Sequence, residues 1–452
     1  MSKIDLQNTP LKQLVLKLSI PSIMGMMVVS LNTLIDAFYI SHFESQEAFA
    51  AISILFPFTL IINSITVCIA SGSASLLSRS LGSKDLNTQK KILPNIRSIS
   101  IVSAFILFIV CQLFAEELVD SLGAKDTVAL YAISYLKVYS TGFFFSIFGL
   151  AANGLIRAEG HIKEAMRYTM LSVIINVVCT PILMEVLKLG IVGAALSSVL
   201  AMGVYAIATS LYLLSKKSQF PSGKFFQFNI NKPILWEILK IGFSSSLIQL
   251  SNTVKYFFLF QVLTTLGTVT DITLFSGVLR VFTFMAIPIL GFLQPLQPIV
   301  GVNYGAKNYD KIHKAFALFT KGGIVFAIVL LIPVLFFTEW MLKIVVNQTI
   351  PDIATLWKIR VVFLVLLILP IGSSAIILFQ SLGKAKEASI LPLLRPIVLF
   401  LPLLWVFKHF YGIDGLYYVL IAENTLYAIF AWRLVLSVKK KIKLPILKSK
   451  IA

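Results

Sequence analysis

The loops of this 452-residue chain recur at one fixed offset of 223 positions. Three separated stretches share it: residues 17–20 (KLSI) with 240–243 (KIGF), 78–85 (SRSLGSKD) with 301–308 (GVNYGAKN), and 156–165 (IRAEGHIKEA) with 379–388 (FQSLGKAKEA). One offset that serves three places indicates that a unit of about half the chain was duplicated. Such a duplication in a very apolar chain is typical of secondary transporters, whose substrate site lies between the copies.

The composition predicts that the solvent of this chain is a lipid bilayer. Hydrophobic residues make up 58% and charged residues 13%, about half the charged share of a typical soluble domain. A bilayer core needs about 20 apolar residues per helical span. Twelve such stretches occur, six per repeat, at roughly 14–40, 50–77, 98–116, 130–156, 166–186, 190–214, 236–264, 272–299, 316–338, 356–381, 389–408 and 413–437. The predicted fold is an all-α integral membrane protein with twelve transmembrane helices in two six-helix bundles related by a parallel internal repeat.

The net charge of +19 lies on alternate loops, which predicts topology and argues against a nucleic-acid-binding surface. Lysine and arginine follow the second, fourth and sixth spans, whereas the opposite loops are acidic or nearly neutral. This positive-inside bias places both termini in the cytoplasm of a multi-pass plasma (inner) membrane protein. The predicted domains are a bundle at 1–214, a cytoplasmic linker at 215–235, a second bundle at 236–438 and a basic tail at 439–452.

The cysteines and histidines of the chain do not indicate a metal site, a disulfide framework or a catalytic site. The three cysteines, Cys68, Cys111 and Cys179, fall inside apolar spans with neither metal-type spacing nor a disulfide framework. The four histidines are scattered over separate loops, so a membrane-embedded enzyme is only a remote alternative. Four loop glycines (Gly82, Gly160, Gly305 and Gly383) stand where spans end beside lysines, which predicts that they terminate helices.

At its repeated loops the chain resembles the multidrug and toxic compound extrusion (MATE) family, of the prokaryotic multidrug-efflux type. The motifs that carry the resemblance are Pro21 and Asp36 in the first span, LFPF at 55–58, SRSLGSKD at 78–85, NGLIRAEGHIK at 153–163, GIVGAAL at 190–196 and GFLQPLQPIVGVNYGAKNYDK at 291–311. The resemblance covers nearly the whole chain. It implies two six-helix bundles around a central cavity that opens alternately to each side, and export of small amphipathic molecules driven by a proton or sodium gradient.

Asp36 is the main candidate for ion coupling. An ionisable residue inside a span costs roughly 2.5–3.5 kcal/mol or more, so it is expected to face a cavity or a partner. Asp36 could bind a proton outside and release it inside, or hold sodium with neighbouring oxygens. Pro21, about four turns earlier, permits a helix kink that would link the charge of Asp36 to the shape of the cavity. The alternative is that Asp36 is merely solvated near the outer headgroups.

Asn176 and Thr180 in the fifth span are further ion-coupling candidates. Many prokaryotic relatives have Asn-x-x-x-Asp-Pro here, with the carboxylate helping to bind the coupling ion, but this chain has Thr180 before Pro181. The two side chains lie one helical turn apart on one face, as a polar patch beside Asp36. The alternative is that they only make hydrogen bonds between helices.

The second half departs further from the family pattern. Places where some relatives bind sodium are held by Asn252 and by about Gly372, which argues against a sodium site there. Lys255 lies one turn beyond Asn252, and a buried lysine needs a carboxylate such as Asp36 or Glu423, or loses its proton. Asp36, Asn252, Lys255 and Glu423 are therefore the predicted substrate-cavity residues, and a structural ion pair is the alternative for Lys255.

The sequence favours an ion-coupled antiporter, with protons favoured over sodium, that exports small organic, cationic or amphipathic compounds by alternating access. A flippase for a lipid-linked saccharide, from the same broad superfamily, is the runner-up. The expected partners are a small-molecule substrate and membrane lipids. We expect a monomer, no nucleic acid, no enzymatic activity, no metal site and no cofactor beyond H⁺ or Na⁺ as coupling ion.

Overall fold

The computed structural model describes residues 5–43, 45–218, 228, 230–341 and 352–448. Within these ranges the regular secondary structure is helical and contains no strand. The middle of the predicted linker and residues 449–452 of the predicted tail lie outside the described residues.

The first half folds as six spans. Its helices are α1 (Leu11–Phe43), α2 (Gln46–Gly82), α3 (Leu86–Leu113), α4 (Ala115–Ser121), α5 (Asp126–Ser140), α6 (Phe143–Ala158), α7 (Ile162–Pro181) and α8 (Gly190–Leu214). Helices α5 and α6 meet at a bend of 53° and together form one span. Beyond Pro181, α7 continues into a π-helical turn at Ile182–Val186, and the short α4 links two spans.

The second half repeats this plan. Its helices are α9 (Lys232–Leu266), α10 (Val269–Leu293), α11 (Leu296–Gly305), α12 (Tyr309–Phe336), α13 (Ile353–Phe363), α14 (Val365–Ser381), α15 (Ala385–Leu393), α16 (Leu401–Tyr411) and α17 (Gly415–Lys448). A π-helical segment, Leu394–Phe400, joins α15 to α16.

The twelve predicted spans are confirmed once three irregular ones are recognised. By length and apolar character alone, nine helices of the described chain could cross a membrane, or ten with the bent α5–α6 pair. Helix α9 is not among them because its middle is polar, around Ser244, Ser245 and Lys255. The continuous 54-residue run Ala385–Val438 contains the last two spans.

Two helices cross the predicted limits of the linker and the tail. Helix α9 begins at Lys232, inside the expected linker, because Asn231 caps it through a bond from the Ile234 amide and Pro233 stands in its first turn. Helix α17 continues to Lys448, into the expected tail. Lysines at the end of a span can extend along the helix toward the headgroups, so a basic helix end is compatible with a membrane boundary.

The duplicated loops have duplicated backbones. Lys84 and Lys307 both have φ +58°, followed by Asp85 and Asn308, whose side chains cap α3 and α12. The left-handed position after α2 and α11 is thus a lysine, although glycine usually takes it. For Gly160 and Gly383, with φ +90° and +70°, the prediction of a helix-terminating glycine is confirmed.

Gly82 and Gly305 are the last residues of α2 and α11, as predicted, and they are also needed for close helix contact. A Cβ atom on Gly82 would lie 1.9 Å from the Val302 carbonyl oxygen, and one on Gly305 would lie 2.0 Å from the Arg79 carbonyl oxygen. Helices α2 and α11 therefore touch backbone to backbone. No other residue type allows this approach.

A similar backbone-to-backbone contact, between α2 and α9, holds the two halves together further along α2. A Cβ atom on Gly72 would lie 2.0 Å from the Ile238 carbonyl oxygen, and one on Gly242 would lie 1.9 Å from that of Cys68. An ion pair reinforces this contact: Arg79 Nη1 pairs with Glu237 Oε1 at 2.8 Å. The two halves are thus packed together at the end of the molecule that carries the repeated loops, which we call the loop end.

The first helix of each half also packs, by its N-terminal part, in the hydrophobic core of the other half. Ile234 and Ile238 of α9 belong to the buried cluster of the first half. Leu14 and Leu18 of α1 belong to a cluster built mainly from the second half. This exchange makes α1 and α9 the elements that connect the two bundles.

Candidate functional site

Asp36 lies on α1, half-buried, with a neutral hydrogen-bond partner. The Asn32 amide Nδ2 donates to Asp36 Oδ2 at 3.0 Å. Asn32 Oδ1 is buried and has no hydrogen-bond partner among the described residues. Tyr135 and Tyr139 of α5 lie within electrostatic range of Asp36, and their rings stack with centroids 5.4 Å apart. A carboxylate thus faces aromatic and amide groups without a cation from the described residues beside it.

Asn176 and Thr180 of α7 point at a pair of serines on α8. Asn176 Nδ2 lies 3.4 Å from both Ser197 Oγ and Ser198 Oγ. The Thr180 hydroxyl donates to the Asn176 carbonyl oxygen at 2.7 Å and lies 2.8 Å from Ser197 Oγ. Asn176 Oδ1 is buried and, within the described part of the chain, accepts no hydrogen bond.

Tyr135 links these two groups into one cluster. It lies within interaction range of both Ser198 and Asp36. The structure therefore brings α1, α5, α7 and α8 together around the residues that the sequence proposed, and adds Asn32, Tyr135 and Ser198, which it missed. The i, i+4 spacing of Tyr135 and Tyr139 was the available signal. We call Asn32, Asp36, Tyr135, Asn176, Thr180 and Ser198 the oxygen cluster.

The oxygen cluster has the composition of a site for a hard monovalent cation. It combines one carboxylate with amide and hydroxyl oxygens, two of which are buried and have no hydrogen-bond partner in the described part of the chain. Oxygen ligands suit hard cations, and a carboxylate can carry a proton instead. The Thr180 hydroxyl is already engaged with its own helix, so the free acceptors are the two amide oxygens and Asp36. Among the described residues, no group of three or more His, Cys, Asp or Glu could hold a metal ion.

A cavity of about 630 Å³ lies next to this cluster. Pro21 and Asn32 line it on α1, and further lining comes from α2, α6, α7, α8, α11 and α14 and from Gln294, between α10 and α11. Its wall is largely apolar, with side chains such as Val67, Leu150 and Met166. Asn32 touches both the cavity and Asp36, so it connects the oxygen cluster to the cavity wall.

The second half contains a buried ionic cluster. Lys255 Nζ of α9 lies 2.6 Å from Glu423 Oε2 of α17, and Arg395 Nε bonds to Glu423 Oε1. Asn424 joins it, donating to Glu423 Oε2 at 3.0 Å and accepting from Arg395 Nη2 at 2.7 Å. The Glu423 side chain is fully buried and that of Lys255 is 8% exposed. The ring of Phe400 lies 5.4 Å from Lys255 Nζ.

Glu423 is thus the carboxylate that Lys255 was predicted to need. Sequence reasoning missed Arg395, although an arginine before Pro396 inside an apolar span is a visible signal. Two cations share one carboxylate, so the three groups carry a net charge of +1 when all are ionised.

Among the described lining residues of the cavity, none of the four predicted substrate-cavity residues appears. Asp36 lies one helical turn beyond Asn32 on α1, while Lys255 and Glu423 pair with each other inside the second half. Asn252 is half-buried on α9, and Gly372 packs on the ring of Tyr427. Their contact with substrate stays a prediction. The helix kink predicted at Pro21 also stays a prediction, and α1 continues through Pro21 as a helix that borders the cavity.

Known proteins resemble this chain along its whole length. A family model described as MatE matches it twice, over residues 21–182 and 245–406. The chain is 25% identical to an FAD transporter of Shewanella oneidensis, covering 97% of each chain. It is 24% identical to the multidrug export protein MepA of Staphylococcus aureus, covering 95% of this chain and 94% of the other. A solved structure of the outward-facing conformation of a multidrug resistance MATE family transporter superposes with a TM-score of 0.89 at 25% identity, covering 98% of this chain and 99% of that one.

Proposed function

The chain belongs to the MatE family of transporters, and from this premise we propose that it is an ion-coupled antiporter that exports small organic, cationic or amphipathic compounds. The observation that carries the proposal is the oxygen cluster beside a mostly apolar cavity, since Asp36 bonds to Asn32 and two amide oxygens of the cluster have no hydrogen-bond partner among the described residues. The cluster supplies an ion site and the cavity a substrate site. Asn32 joins the two.

In this mechanism the coupling ion and the shape of the cavity depend on each other. A proton on Asp36, or a sodium ion held by Asp36 with Asn32 Oδ1 and Asn176 Oδ1, neutralises the only carboxylate of the cluster. Helix α1 carries Asp36 and also Pro21, where a proline leaves a carbonyl without its helical donor and permits bending. A change in charge at Asp36 would therefore alter the wall of the cavity. Alternating access follows as one half rocks against the other about the glycine contacts of the loop end.

The ion is the first point to test. We expect inverted membrane vesicles that contain the protein to accumulate ethidium when a proton gradient is imposed, with no response to a sodium gradient alone. The reason is that Asp36, the only carboxylate of the oxygen cluster, can take up and release a proton by itself, whereas sodium would be held there by one charged ligand and otherwise neutral oxygens. Vesicles without the protein provide the baseline. Accumulation driven by a sodium gradient alone would show that the coupling ion is sodium and not a proton. If ethidium accumulates under neither gradient, the transport proposal is contradicted.

The orientation in the plasma membrane is a second part of the proposal. Both termini and the loop end are placed in the cytoplasm, where the lysine-rich loops belong. Cysteines introduced at Lys84 and Lys307 are expected to react with a membrane-impermeant maleimide in inverted vesicles and to be protected in intact cells. A cysteine at the exposed Lys125, in the loop before α5, should show the reverse pattern. Labelling of positions 84 and 307 from opposite sides would disprove the parallel arrangement of the two halves.

The protein is proposed to work as a monomer, with lipids and the transported molecule as its partners. The internal duplication supplies both bundles from one chain, so a second copy is not needed to complete the cavity.

A further inference from the structure

Arg157 is an unusual residue for the wall of a largely apolar cavity. It lies in the last turn of α6, and among the described lining residues it is the only one with a charged side chain. Its guanidinium group donates from Nη1 to the neutral Gln294 Oε1 at 2.7 Å. None of the ion pairs between described residues includes Arg157. The cavity thus presents a positive charge whose protein partner is a neutral amide.

The guanidinium group of Arg157 lacks an anionic partner among the described residues. A guanidinium group has five N–H donors in a fixed plane and matches a carboxylate or phosphate with two parallel bonds. Removing it from water without an anion is unfavourable, because its hydration is lost and no opposite charge replaces it. Asp36 does not line the cavity and has Asn32 as its partner. An anion from outside the protein would supply what Arg157 lacks.

Ser71 on α2 adds a second donor to the same wall. Its hydroxyl is buried without a hydrogen-bond partner among the described residues, while its carbonyl oxygen accepts from Gln297 Nε2 at 3.2 Å. Helix α2 passes close to α6 at this level, since a Cβ atom on Gly154 would lie 3.0 Å from the Ala70 carbonyl oxygen. Ser71 follows Ala70, and Arg157 lies one turn beyond Gly154.

We propose that this cavity binds an anionic oxygen group, a carboxylate or a phosphate, carried by an amphipathic substrate, with Arg157 as the residue that recognises it and Ser71 as an additional donor. The apolar wall formed by Val67, Leu150 and Met166 takes the uncharged body of the molecule. This inference rests on the export function proposed above and narrows its substrate class. Among the amphipathic compounds considered there, we expect an anion or a zwitterion to bind more tightly than a pure cation such as ethidium, which would still be exported but would meet the like charge of Arg157.

The test compares two ligands that differ by one charge. Binding of 7-diethylaminocoumarin-3-carboxylate and of its carboxamide to the purified full-length protein is measured by fluorescence polarisation, without any gradient. We expect the carboxylate to bind about tenfold more tightly, as a charge-assisted pair with arginine should. Arg157→Gln should remove that preference and Arg157→Lys should keep part of it. Arg167→Gln, at an exposed arginine on α7, should leave it unchanged.

A parallel pair, 4-methylumbelliferyl phosphate and 4-methylumbelliferone, distinguishes the two anions. A preference for either charged member that depends on Arg157 supports the site and identifies its group. Equal binding of both members of each pair, a preference that survives Arg157→Gln, or no binding at all overturns it. The wild-type comparison does not depend on how a variant folds. Ethidium export without any anion preference would reject this site alone, whereas an anion preference without transport would keep the site and reject the export function.

Discussion

Replacing Glu423 with glutamine is expected to lower the free energy of unfolding by about 3–5 kcal/mol, because it removes one partner from a buried ion pair. The Glu423 carboxylate holds Lys255 Nζ at 2.6 Å, Arg395 Nε and Asn424 Nδ2, all beneath the surface. Glutamine keeps the shape and removes the charge, so Lys255 and Arg395 face each other without an anion. The measurement is unfolding of the purified protein in mixed micelles.

A surface pair gives the matched control for this prediction. Asp310 and Lys314 lie at 2.6 Å on α12, with side chains 74% and 68% exposed. Asp310→Asn is expected to change the free energy by less than about 1 kcal/mol, as for other solvent-exposed pairs. Adding Lys255→Met to Glu423→Gln should recover about 1 kcal/mol or more relative to the sum of the single changes, since it removes one of the stranded cations. Additive effects would mean that the two side chains do not share an ion pair.

The fold could be predicted because the sequence shows both the apolar stretches that span a membrane and the repeat that relates the two halves. Apolar length gave the twelve spans, and one offset gave the two halves, which the matching backbones of Lys84 and Lys307 repeat in three dimensions. What the sequence did not reveal is why certain glycines are needed. Gly82 and Gly305 end α2 and α11, as the sequence indicates, but the need for glycine there also depends on the two helices meeting across the two halves.

Part of the candidate site could be predicted, because some of its residues are polar and lie inside apolar spans. Asp36, Asn176 and Thr180 stand out as polar residues in apolar spans, and the structure groups them. Arg157 did not stand out, because it belongs to a loop motif at the end of a span and reaches the cavity only through the packing of α6 against α2. Lys255 and Glu423 had looked like cavity residues because each is costly alone. Pairing removes that cost and turns both away from the cavity that the structure describes.

Asp36→Asn is expected to reduce gradient-driven efflux to the level of vesicles that lack the protein. Asparagine has nearly the same shape and can still bond to Asn32, so the packing of α1 should persist. It cannot take up and release a proton, and it is a weaker ligand for sodium. Substrate binding without a gradient should survive, because Asp36 is not among the described residues that line the cavity. The measurement is ethidium accumulation in inverted vesicles at matched protein content, together with ligand binding to the purified protein.

Proton release gives a second readout that a structural role of Asp36 would not affect. In weakly buffered detergent solution with a pH-indicator dye, substrate added to the wild-type protein is expected to displace a proton, and Asp36→Asn should abolish that signal. Asp120→Asn, at an exposed aspartate on α4, removes a carboxylate from the surface and should change neither efflux nor proton release. If efflux persists in Asp36→Asn, Asp36 is only solvated near the headgroups. The coupling ion would then have to be bound without the only carboxylate of the oxygen cluster, which leaves neutral oxygens alone to hold it and favours sodium over a proton.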